Sequence, residues 1–146
     1  MTINEDRITT PLSSAVVVSI DAMGGDSGVE AIIGGIQMSA EINPDVYFIL
    51  HGDSAEINAL LSKKPGLAAR VDVRHSEKVI SMTEKPVRAL RSGKGSSMWN
   101  ALVSVEKGEA TVAVSCGNTG ALMAISMLRL RKLPGVKRPA IAVLWP

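Results

Sequence analysis

The chain is poor in aromatic residues, cysteine and clustered charge, and each shortage excludes something. Phe, Tyr and Trp together make up 3% of the 146 residues. Any core must therefore come from Val, Ile, Leu, Ala and Met, and the stacked aromatics of a single-strand nucleic-acid groove are absent. The formal charge is only +2, and the basic residues are scattered, which argues against a nucleic-acid partner. A single cysteine, Cys116, rules out an internal disulfide and suits a reducing cytoplasm. No run approaches the roughly 18 apolar residues of a membrane-spanning helix. The polar, mixed-charge start, residues 1–14, lacks the apolar centre of a signal peptide and reads as a flexible leader. Neither G-x-G-x-x-G nor G-x-x-x-x-G-K-[ST] occurs, so neither a dinucleotide fingerprint nor a P-loop is present.

Apolar residues nonetheless reach 46%, and they are patterned. Ala15–Ile20, Val46–Leu50, Val71–His75, Ala110–Val114 and Ala140–Trp145 read as five strands, most of them continuous apolar runs of the kind that parallel sheets bury on both faces. Residues 29–41, 54–61 and 121–128 read as helices. A further helical region from Thr83, its expected cap, to about Lys107 is broken at Ser92–Ser97. Gly34 and Gly35 either weaken the first helix or let it lie close to the sheet. The β-α alternation predicts a Rossmann-like α/β fold, a parallel sheet with helices on both faces. The last strand has no helix after it, so 15–146 reads as a truncated portion of such a domain, or as one completed by another polypeptide. A strand left bare in this way predicts self-association.

Ligands of open α/β sheets gather beyond the carboxyl ends of the strands. That rule collects Asp21–Asp26, His51–Asp53, His75 and Ser115–Gly120. Ser115-Cys116-Gly117-Asn118-Thr119-Gly120 joins a strand to a helix through glycines and good capping residues, as an anion site does, and as an ordinary capped turn also does. Asp21 and Asp26, with Gly24 and Gly25 between them, suit ordering a loop, holding a hydroxyl or thiol arm, or binding a metal. Gly93-Lys94-Gly95-Ser96-Ser97 suits a phosphate or a carrier arm, or is a solvated loop. Cys116 near a helix start, with His51 or His75, is conceivable as a nucleophile, although a lone cysteine is more often a small buried residue.

Four segments in order, Ile20–Asp26, Arg88–Arg91 with Gly95–Met98, Ser115–Ala121 and Arg138–Ala140, resemble the bacterial phosphate acyltransferases of phospholipid synthesis (the PlsX family). The resemblance covers Val16 to Pro146 and implies the N-terminal part of a chain more than twice as long. It implies an enzyme, homodimeric, cytoplasmic or peripheral at the inner membrane face. It would convert acyl-[acyl carrier protein] and inorganic phosphate to acyl phosphate, which a membrane glycerol-3-phosphate acyltransferase consumes. It implies a fold similar to isocitrate and isopropylmalate dehydrogenases, with no organic cofactor and no metal. Asn118 and Thr119 then become the catalytic candidates, adding side-chain donors to the N–H groups of Gly117 and Gly120. Ser96 and Ser97 would meet phosphate or the phosphopantetheine arm, and Asp21, Gly24, Gly25 and Asp26 would shape the substrate loop. The family usually carries alanine at position 116, which removes Cys116 as an essential nucleophile. The alternatives are a nicotinamide-dependent dehydrogenase and a non-catalytic α/β fragment.

Overall fold

The computed structural model describes residues 15–138 and 140–143. Four strands form one parallel sheet: β1 (Val16–Asp21), β2 (Val46–Gly52), β3 (Val71–His75) and β4 (Val112–Ser115). Their order is β3-β2-β1-β4. The chain thus steps outward from β1 to β3, then crosses back to place β4 on the other side of β1. This reversal opens a crevice between the carboxyl ends of β1 and β4, where ligands of such sheets bind.

Alternation along the strands divides the core in two. One face presents Val18, Ile20, Phe48 and Leu50 to Val29, Ile33 and Ile36 of α1 (Gly28–Ile42) and to Ile57 and Leu61 of α2 (Ser54–Leu61). A short third helix, α3 (Pro65–Ala68), follows where a loop was expected; Pro65 presets the first turn, and Leu67 anchors it in the same core. Across the sheet, α4 (Pro86–Ser92), α5 (Ser97–Glu106) and α6 (Thr119–Arg129) supply Ala89, Met98, Trp99, Leu102, Ala121 and Ile125. Helices therefore cover both faces, as the alternation predicts.

Several local expectations resolve differently. Residues 140–143 form no strand, and Ile141 and Val143 are exposed. A strand exists only where a neighbour completes its hydrogen-bond ladder, and no strand among the described residues pairs with these; 144–146 lie outside them, as do residues 1–14, the expected leader. The apolar surface left bare includes Val112 and Val114 of β4. Thr83 does not cap α4, whose N-cap is Lys85 without a side-chain bond. Added Cβ atoms at Gly34 and Gly35 would meet open space, so these glycines admit no close approach and only weaken α1.

Candidate functional site

The carboxyl end of the sheet carries a polar row. Asp21 of β1 pairs in register with His51 of β2 on one side and Ser115 of β4 on the other, and His51 pairs with Arg74 of β3. The row lies on the face that α5 covers, where Ser104 of that helix reaches both His51 and Arg74. Asp21 is buried, and its carboxylate is used internally. Oδ2 accepts the Ser115 hydroxyl at 2.7 Å, and Oδ1 accepts the Met23 N–H at 3.3 Å. Ser115 Oγ in turn accepts the Gly117 N–H at 3.0 Å. A carboxylate on β1 thereby fixes the turn after β4, and the Gly117 N–H expected to face an anion is already taken.

The glycines of the first loop serve this junction. A Cβ on Gly24 would sit 3.0 Å from the Gly117 nitrogen and overlap the Asp21 carboxylate. Gly25 has φ +93°, and a Cβ there would lie 2.9 Å from the Cys116 carbonyl oxygen. The glycines let one turn approach the other, where the sequence suggested the approach of a ligand. Asp26, beside them, is exposed.

Asn118 is the N-cap of α6, its Oδ1 accepting the Ala121 N–H at 2.9 Å. Its Nδ2 points away from the helix. It lies 3.1, 3.0 and 2.8 Å from the carbonyl oxygens of Ser81, Met82 and Glu84. Both ends of the amide are thus engaged within the protein, in place of the free donor expected from sequence. Gly120 faces Pro86, whose Cγ would stand 3.0 Å from an added Cβ, so the starts of α6 and α4 abut. Thr119 is exposed. Its N–H and that of Gly120 have no acceptor among the described residues.

Ser96 and Ser97 begin α5, as one of the two readings of the helix break required. Ser96 Oγ caps the helix by accepting the Trp99 N–H at 3.2 Å. Ser97 is fully buried, and its Oγ has no partner among the described residues. Met98 ties this helix start to the central turn, its Cε lying 3.1 Å from the Cβ position of Gly117. Residues 78–80, Glu84, Ser92, Gly93 and Ser96 line an adjoining half-open pocket of about 200 Å³. Asp21, Gly24, Gly25, Gly117, Asn118 and Gly120 therefore converge, while Ser96 and Ser97 stand beside them at the start of α5 and Asp26 and Thr119 are exposed. The Ser81–Glu84 carbonyls and Pro86 belong to the same assembly; the sequence marked this stretch only as a helix start, and no signal there points to a site.

The histidines stand apart. His75 is exposed and bonded to Ser54. His51 is buried, with Nε2 3.1 Å from Ser104 Oγ. Neither bonds to Cys116, which is exposed where a buried thiol was the commoner expectation. Burial, reinforced by the neighbouring Arg74 guanidinium, pushes His51 from 6.5 down to about 4. Its protonation is thus linked to folding: the unfolded chain takes up the proton below pH 6.5 and the folded chain only near pH 4. Stability from this group is complete at neutral pH and is lost as pH falls through that window, by up to about 3 kcal/mol. In denaturant titrations of the full-length protein, His51→Gln is expected to remove this part of the acid loss; an unchanged pH slope would contradict it.

A parallel sheet of order β3-β2-β1-β4, with helices on both faces and a capped polar turn at its reversal point, defines a Rossmann-like α/β protein. Residues 16–146 match the model of the family described as fatty acid synthesis protein. The chain belongs to that family. Curated relatives named phosphate acyltransferase are 58% identical in Cereibacter sphaeroides over 131 residues, 56% in Dinoroseobacter shibae over 133 and 58% in Paracoccus denitrificans over 131. These matches cover 90%, 91% and 90% of this chain and 36%, 34% and 35% of the relatives. The chain thus spans about a third of their length. The dehydrogenase alternative is not favoured by these matches. No helix among the described residues is long and apolar enough to cross a membrane.

Proposed function

We propose that this chain is the N-terminal α/β portion of a phosphate acyltransferase, with residues 1–14 as a leader. The observation that carries the reading is the 56–58% identity to proteins of that name across nine-tenths of the chain. The donor would be acyl-[acyl carrier protein] and the acceptor inorganic phosphate. A phosphate oxygen attacks the thioester carbonyl carbon, the C–S bond breaks, and the carrier thiol leaves with a proton, giving acyl phosphate. Phosphate is already anionic at neutral pH, so the protein's work is placement and stabilisation of the developing oxyanion.

The turn Gly117–Gly120 suits that work. The Thr119 and Gly120 N–H groups and the Thr119 hydroxyl are its available donors, at the positive end of α6. Asn118 and the Asp21–Ser115 relay hold the turn in place, and Gly24 and Gly25 admit it. Ser96 lines the adjoining pocket, which a phosphopantetheine arm would use, and Ser97 is buried beside it. The resemblance further supports a homodimer and a cytoplasmic or peripheral inner-membrane location. It also supports a membrane glycerol-3-phosphate acyltransferase as the next enzyme and an isocitrate dehydrogenase-like overall fold for the whole protein.

The test is to incubate the full-length protein with acyl carrier protein thioester and phosphate. Phosphate-dependent release of free carrier protein with formation of acyl phosphate is expected, and its absence overturns the reading. Thr119→Val keeps the shape of the side chain and removes the hydroxyl. It should lower kcat/KM for phosphate about tenfold, the worth of a hydrogen bond to a charged group.

A further inference from the structure

We infer that Asn118 is a positioning residue that tethers the segment Ser81–Glu84 beside the anion-site turn, and that it does not touch the anion. The inference rests on the reading of Gly117–Gly120 as the place where the anion binds.

The stoichiometry of the side chain leads there. A carboxamide has two N–H hydrogens and one carbonyl oxygen. The oxygen accepts the Ala121 N–H, while the nitrogen lies within hydrogen-bond distance of three carbonyls, those of Ser81, Met82 and Glu84. Two hydrogens serving three acceptors leave none for a ligand. The side chain is also enclosed, with Asn118 only 8% exposed.

The tethered segment runs between the buried Ile80 and Pro86, and within it little else fixes the backbone. Ser81, Met82 and Thr83 are exposed, and the internal bonds are a turn from Glu84 N–H to the Ser81 carbonyl and contacts between Ser81 Oγ and Thr83. Three carbonyl dipoles of one short segment, those of Ser81, Met82 and Glu84, converge on one point only because an amide donor fills it. The segment leads into Pro86, which abuts Gly120, so its position sets the wall next to the Thr119 and Gly120 N–H groups. Asn118 thus couples two loops far apart in sequence into a single site wall.

Asn118→Ser separates the two jobs. Serine remains a good N-cap, but has no donor that can reach three carbonyls. In the full-length protein, hydrogen exchange of residues 78–86 should accelerate about tenfold or more while 119–129 keep their protection. With acyl carrier protein thioester and phosphate, kcat should fall about tenfold while KM for phosphate changes little. Unchanged exchange at 78–86 with a raised KM for phosphate would mean direct contact with the anion, and would overturn the inference. Exchange that accelerates through all of α6 would reduce Asn118 to an ordinary cap and overturn it too. If the wild-type protein transfers no acyl group to phosphate, the proposed function fails, and the exchange measurement still decides the tether.

Discussion

Asn118→Asp in the full-length protein is expected to cost about 3–5 kcal/mol of stability and to lower phosphate-dependent acyl transfer about 100-fold. The exchange is nearly isosteric and keeps the capping oxygen. It replaces the donor nitrogen, however, with an oxygen facing the carbonyls of Ser81, Met82 and Glu84 at the 2.8–3.1 Å now spanned by hydrogen bonds. Acceptors then face an acceptor, and the second carboxylate oxygen is left buried without a donor, while the first keeps the Ala121 N–H. The segment must swing out or the carboxyl must take up a proton, and a protonated acid has one hydrogen for three acceptors. The loss should therefore be larger than for serine, which abolishes the tether without adding repulsion. Denaturant unfolding and acyl phosphate formation measure the two effects; a variant as stable and active as wild type would show that the carbonyls do not converge there.

Gly24→Val is expected to be comparably severe, at about 4 kcal/mol from overpacking together with the broken relay, with turnover reduced about 100-fold. A Cβ at Gly24 meets Asp21 and the Gly117 backbone nitrogen at once. Neither can yield cheaply. Asp21 is buried and holds Ser115, and Ser115 holds Gly117. The two turns must therefore separate, which displaces the start of α6 from the crevice. Gly28→Ala serves as the control for folding: Gly28 is exposed at φ +73°, and an added Cβ there meets nothing within 4 Å. Its cost should be confined to the strained backbone, about 1–2 kcal/mol, with transfer activity retained. Equal losses of activity in both variants would contradict the role given to the Gly24–Gly117 contact.

The amino-acid sequence by itself determined the element types and the class of sheet. Period-2 and continuous apolar runs depend only on which residues a buried strand can carry, and capping at Ser96 and Asn118 depends on side chains next to the helices they start. Both are local, and so is the series of short segments that places the chain in its family. Tertiary structure alone decided what those residues do. Asp21 and Ser115 are 94 positions apart, and only the return of the chain across β1 sets them side by side. The same crossing brings Gly24 against Gly117, so glycines that look ligand-facing in sequence admit a neighbouring turn. Asn118 reads as a cap from its neighbours, since its cap bond is local. Its tether is legible only once the fold delivers three carbonyls from 34 to 37 residues away. Residues 140–143 mark the opposite case. Their apolar pattern is that of a strand, but a strand is made by its partner, and hydrogen-bonding partners are a property of the fold.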